Sequence, residues 1–143
     1  MLEFNTKVAK SAGEHWVCAV LSRLNWGAAL TRDGLECPDI LAVNAGDSRQ
    51  MIEVQVKTKT GATDKTSWRL GSKTQLTSRT DHEWFVLVAR SADLNQAPRS
   101  FVVPRDVVAA ARWISHQDWL TSPDAEPGKR NAPVDRARVL LPV

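Results

Sequence analysis

No stretch of this 143-residue sequence is apolar over the length needed to cross a bilayer, and cysteine is almost missing. The two that occur, Cys18 and Cys37, form no close pair. With His15, His82 and His116 scattered along the chain, they give no zinc-ligand spacing. Reduced thiols are therefore expected. A glycine-rich phosphate loop is also missing, as is strict alternation of strand and helix, which argues against a dinucleotide or P-loop fold. The opening MLEFNTKVAK holds no long apolar segment ahead of a small-residue cleavage site. Nothing suggests export, and a cytoplasmic protein with no membrane partner is expected. There is no internal repeat.

What is present has the balance of a globular protein, with 43% hydrophobic and 24% charged residues. The length fits one domain over residues 1–143, with a Pro- and charge-rich excursion around 121–138. A net charge of +3 fits a polyanionic partner only weakly.

Apolar residues at helical spacing predict a helix over residues 6–24, with Gly13, Val17, Val20, Leu21 and Leu24 on its buried face. Glu14 lies at the edge of that stripe. Gly13 costs helix propensity, and the usual recompense is close approach of another backbone. Three strands follow, over 26–31, 39–43 and 51–60, the last two joined as an antiparallel hairpin through a turn at Ala45-Gly46-Asp47. Residues 61–83 are polar and basic and read as loop, with a possible short strand at 67–70 and a helical turn. WFVLVAR is a buried strand, FVVP another, and RDVVAAARWISHQDWL a second helix whose start Pro104 helps define. The tail is a surface excursion that docks through VLLPV. The order predicts an α/β fold: one mixed central β-sheet flanked by helices.

The strand MIEVQVKTKT alternates, with Glu53, Gln55, Lys57 and Lys59 on one side and Ile52, Val54, Val56 and Thr58 on the other. In the hairpin, Asp39 ends up beside Gln55 and Lys57. Mg²⁺ takes oxygen ligands, one or two of them carboxylates. Asp39, a carbonyl near Val56 and the side-chain oxygen of Gln55 or Glu53 make such a set, and Lys57 stands ready for an attacking water or a charged transition state. Taken alone, the same strand face is equally that of a solvated strand, and Glu14 that of a surface acid pairing with Lys10 four residues earlier.

Pro38-Asp39 followed after a hairpin by Gln55-Val56-Lys57 resembles the PD-(D/E)XK nuclease superfamily in its QxK variant, as in Mrr-like restriction nucleases. GEHWVCAVLSRLNW is similar to the first helix of archaeal resolvase-like members, where a Gly-Glu pair opens a helix and the Glu points at the metal. The resemblance covers about residues 11–59. It implies a restriction-endonuclease-like core and Mg²⁺- or Mn²⁺-dependent cleavage of phosphodiester bonds. On it, Asp39 is the principal metal ligand, Gln55 fills the usual acidic position, Lys57 is the catalytic lysine and Glu14 the accessory acid. Gln55 is neutral where most members carry Asp or Glu. Either the metal is held with less charge, or Glu53 on the same strand face compensates.

Lys59, Lys65, Arg69, Lys73 and Arg79 resemble a phosphate-binding surface leading from this site, with Trp68 available to stack on an unpaired base. Trp16, Trp26, Trp84, Trp113 and Trp119 are expected in the core or at an interface. Asp33, Glu36 and Asp47 read as loop acids with turn roles, although Asp33 or Glu36, preceding Asp39 in the same loop, could approach the metal. The expected function is a DNA nuclease, structure-directed or weakly sequence-specific, with any specificity coming from a homodimer, a partner or the loop over 61–83. The alternative is a catalytically inactive nuclease-fold module that binds nucleic acid or a protein partner.

Overall fold

A computed structural model describes residues 5–32, 38–61, 67–121 and 138–140. The chain opens with helix α1 (Thr6–Arg23). Asn5 caps it, its side chain accepting the Lys7 N–H at 2.9 Å, one of the donors a helix start leaves open. The helix stops where Asn25 takes a positive φ of 67°, a conformation asparagine tolerates better than most residues.

Strands β1 (Trp26–Leu30), β2 (Ile40–Asn44) and β3 (Met51–Thr60) run antiparallel in succession. The β2–β3 turn lies where the sequence places it: Asn44 accepts the Gly46 N–H at 2.7 Å and Arg49 adopts φ 48°. After β4 (Ser67–Arg69) and a 3₁₀ turn (Ser72–Gln75) comes β5 (Glu83–Arg90), which pairs parallel with β3, Val56 opposite Val86. β6 (Arg99–Pro104) adds antiparallel to β5, and helix α2 (Arg105–Thr121) follows directly. The sheet order is β1-β2-β3-β5-β6, mixed as expected. β7 (Arg138–Leu140) pairs with β4 in a separate two-stranded sheet, which is the docking of the tail.

Two cores lie on opposite faces of this sheet. On one, Val17 of α1 packs on Ile40, Ala42, Val54, Val56, Val86 and Val88. On the other, Phe85 packs with Leu70 and Val108, and Leu87 and Ala89 with Trp68. Covered on both sides, Phe85 to Ala89 read as one continuous apolar run because no position faces water. Each fully buried Val or Leu in such a core contributes about 1.5–3 kcal/mol.

Two expectations need correction, for Leu24 and Gly13. Leu24 is 64% exposed, since α1 ends before its last apolar residue reaches the sheet. Trp113, expected in the core or at an interface, lies outside the core at 55% exposure, whereas Arg112 beside it is fully buried, its Nε donating to the Leu70 carbonyl at 3.2 Å. Gly13 meets a side chain, that of Thr58, rather than another backbone.

Candidate functional site

The site forms where β2 stops pairing with β3. Their register ends at Ile40 opposite Val54, and β3 continues alone on that edge. Pro38 cannot donate to the ladder. Asp39 takes over: its N–H donates to the Val54 carbonyl at 3.0 Å, its carbonyl accepts the Thr31 N–H at 2.9 Å, and its Oδ2 accepts the Val56 N–H at 2.8 Å. The carboxylate thus occupies the rung where a strand carbonyl would otherwise sit. In an extended strand a residue's N–H and C=O point to the same side, so the Val56 carbonyl faces the same opening as the Val56 N–H.

Lys10 and Glu14 reach this opening from α1. The Lys10 ammonium lies 3.5 Å from Glu14 Oε1 and 3.6 Å from Asp39 Oδ1. The carboxylates are largely sheltered, at 17% and 20% exposure, while Lys10 is 56% exposed. Burial is the largest single influence on the Lys10 amine and pulls its pKa down. The attraction of Asp39, then of Glu14, outweighs it, and the net shift is upward. Burial, and after it the charge of Glu14, raises the free Cys18 thiol. The Lys10–Glu14 pair is the i, i+4 pair the helix spacing suggests. The Lys10–Asp39 contact is one that sequence reasoning missed, because 29 positions separate the two residues and no local pattern links them.

Glu53, Gln55 and Lys57 share a β3 face, as the alternation predicts; all three are half-buried. Gln55 lies opposite Phe85 and Lys57 opposite Leu87 on the parallel strand. Lys57 opens into a cleft of about 340 Å³ lined also by Thr58, Lys59, Ser67, Trp68 and Arg69. Lys59 Nζ donates to Ser67 Oγ at 3.5 Å. Trp68 is only 3% exposed, its indole N–H donates to the Val88 carbonyl at 3.2 Å, and its ring meets Phe101 edge-on. It is a core residue at the cleft floor, which corrects its expected role as a base-stacking platform. Lys65, Asp33, Glu36 and Cys37 lie outside the described residues, as does the Lys73 side chain.

A second cleft of about 300 Å³ lies on the α1 side, lined by Lys7, Lys10, Ser11, Glu14, His15, Leu30 and Thr31. His15 Nδ1 donates to the Ser11 carbonyl at 2.8 Å, which fixes its ring. Lys7 and Thr31 carried no signal in the sequence.

Among the described residues no three His, Cys, Asp or Glu side chains gather to hold a metal. Two carboxylates sharing one cation, with a backbone carbonyl at the same opening, are nonetheless hard oxygen donors. They match what Mg²⁺ or Mn²⁺ requires when water completes the octahedron.

Among solved structures, this chain is similar to two nucleases. A bacterial homing endonuclease, I-Ssp6803I, superposes with a TM-score of 0.51 over 74% of this chain and 70% of its own, at 19% identity. A Holliday junction resolvase, Hjc, from the archaeal hyperthermophile Archaeoglobus fulgidus gives 0.43 over 66% of this chain and 76% of its own, at 17% identity. No family model matches this sequence, and no curated protein sequence does. The fold is a restriction-endonuclease-like α/β core.

Proposed function

We propose that this protein is a metal-dependent nuclease that hydrolyses phosphodiester bonds of DNA. One observation carries the reading: Asp39 and Glu14, from different elements of a nuclease-type fold, share a single cation at the end of β2. Asp39 and Glu14 would hold a divalent ion through carboxylate oxygens, with the Val56 carbonyl and the Gln55 amide oxygen completing the protein's share and Glu53, on the same face as Gln55, adding charge. Such an ion would supply a water of lowered pKa and neutralise phosphate charge. Lys57 orients the attacking water and meets the charge that develops on the phosphate oxygens. Lys59 and Arg69, in the same cleft as Lys57, hold the neighbouring backbone phosphates. With phosphates recognised chiefly by point charges, cleavage is structure-directed or weakly sequence-specific.

The second reading is a nuclease-fold module that binds without cutting. The neutral Gln55, and the lack of a third acidic side chain close to Asp39 and Glu14 among the described residues, favour it. Labelled duplex, branched and single-stranded DNA and RNA, incubated with Mg²⁺, Mn²⁺ or EDTA, separate the two. Metal-dependent cutting lost in Asp39→Ala and Lys57→Ala establishes the nuclease and its substrate class. A folded protein that binds DNA but cuts nothing establishes the module.

A further inference from the structure

The two carboxylates of the site face a lysine that belongs to the same chain. Lys10 sits one helical turn before Glu14 and reaches both Glu14 Oε1 and Asp39 Oδ1 at nearly equal distances, 3.5 and 3.6 Å. Among the described residues it is the side chain that touches both acids. Asp39 and Lys10 differ in how they are held. Asp39 is held by three strand-type hydrogen bonds and is 20% exposed, whereas more than half of the Lys10 side chain is in solvent, at 56%. Asp39 is thus anchored in the strand ladder, while the half-exposed ammonium can leave along a flexible four-carbon stem.

We propose that Lys10 is an intramolecular counter-ion that holds the Glu14–Asp39 pair together and is displaced when a divalent cation binds. The inference rests on the metal-site reading given above. At Glu14 Oε1 and Asp39 Oδ1 an ammonium competes with an inner-sphere metal ion, because both draw on the same oxygen lone pairs and their charges repel. Lys10 therefore lowers the affinity for metal while preventing the two acids from repelling each other in its absence. Occupancy becomes an exchange of one cation for another, and Glu14 and Asp39 are kept facing one common point until it happens. Lys10 is a positioning residue here, not a catalytic one.

The test measures Mn²⁺ binding without nucleic acid, by the electron paramagnetic resonance signal of free Mn²⁺, at one pH near neutrality and low salt. Wild type is compared with Lys10→Met, Lys10→Arg, Lys7→Met and Asp39→Ala. Removing the competing charge is expected to tighten binding about tenfold in Lys10→Met, the order expected of one charge a few ångströms from a half-exposed site. Lys10→Arg keeps a cation on the acids and stays within about twofold of wild type. Lys7→Met removes a charge from the same cleft that touches neither acid, and changes affinity by less than about threefold.

Binding in Lys10→Met alone, with wild type too weak to detect, supports the exchange in its strongest form. Wild-type binding that Asp39→Ala abolishes but Lys10→Met leaves equal or weaker overturns the exchange while the metal site stands. No Mn²⁺ binding in either wild type or Lys10→Met overturns both readings. Melting of the metal-free proteins adds a readout independent of metal. Lys10→Met melts below wild type and Lys10→Arg does not; equal melting of all three removes the counter-ion role.

Discussion

A β-carbon added to Gly13 would lie 1.8 Å from the hydroxyl oxygen of Thr58, so α1 and β3 meet at a point that only glycine fits. Thr58 follows Lys57 on β3, and Gly13 precedes Glu14 on α1. The contact therefore sets the height at which Glu14 and Lys10 stand over the opening beside Asp39. The Thr58 hydroxyl is buried and has no hydrogen-bond partner among the described residues, so packing alone holds it there.

Gly13→Ala is accordingly expected to destabilise the fold. Overpacking costs about 1–3 kcal/mol, of which improved helix propensity returns up to about 1 kcal/mol. Urea unfolding midpoints measure the net loss. Adding Thr58→Ala recovers only part of it, because the Thr58 β-carbon would still lie 2.9 Å from the new methyl group. A Gly13→Ala protein as stable as wild type would mean that α1 does not rest on β3 in this way.

Asp39 has a structural task and a proposed chemical one, and two substitutions separate them. Asp39→Asn keeps an oxygen to accept the Val56 N–H but loses the charge; Asp39→Ala leaves that N–H without a partner. The alanine variant is expected to be less stable than the asparagine variant by about 1–2 kcal/mol. On the proposed nuclease reading, cleavage is expected to be lost in both. Equal stability in urea would show that the Val56 contact contributes nothing.

Lys57 and its neighbours are expected to differ in kind. Lys57→Ala lowers the cleavage rate about a hundredfold or more while Mn²⁺ binding persists. Lys59→Ala and Arg69→Ala weaken DNA binding across sequences and each reduce the slope of log affinity against log salt by about 1. Binding isotherms over a salt series, run beside single-turnover cleavage, separate the two effects. A Lys57→Ala enzyme that cuts at the wild-type rate removes Lys57 from the chemistry.

The loop entering β5 is tied to the start of α2, and this tie is pH-dependent. Asp106 Oδ1 accepts the Ser78 N–H at 2.7 Å, and this backbone hydrogen bond is the main reason that the Asp106 carboxyl is held below its ordinary range. Depressed on folding, it adds stability that is present above the unfolded aspartate value, near 3.8, and is lost as pH falls through the folded one. Wild type should therefore exceed Asp106→Asn in urea midpoint at neutral pH, and the difference should shrink as pH falls below the unfolded aspartate value. Parallel curves down to acid pH would remove Asp106 from the acid limb.

Much of this architecture follows from local pattern. The alternation of MIEVQVKTKT put Val54 and Val56 in the core and Glu53, Gln55 and Lys57 on the other face, because a strand's side chains have a strict period of two. The turn residues placed the hairpin that brings Asp39 beside Val56, and Pro104 marked the start of α2. Non-local burial was not legible. Trp68 looked like an exposed aromatic among basic residues, yet it lies beneath them on Val88 and Phe101. Arg112, charged and mid-helix, is buried because the Leu70 carbonyl receives its Nε.

The sequence by itself determined the elements, their order and the donor types at the site, since helical and strand periods, caps and turns act over a few residues. Tertiary structure alone decided that Lys10 would reach Asp39 as well as Glu14, that β5 would lie parallel to β3, and that Thr58 would rest on Gly13. Those relationships depend on how α1 seats on the sheet. That seating is fixed by the fit of side chains far apart in the chain, for which one sequence carries no periodic signal.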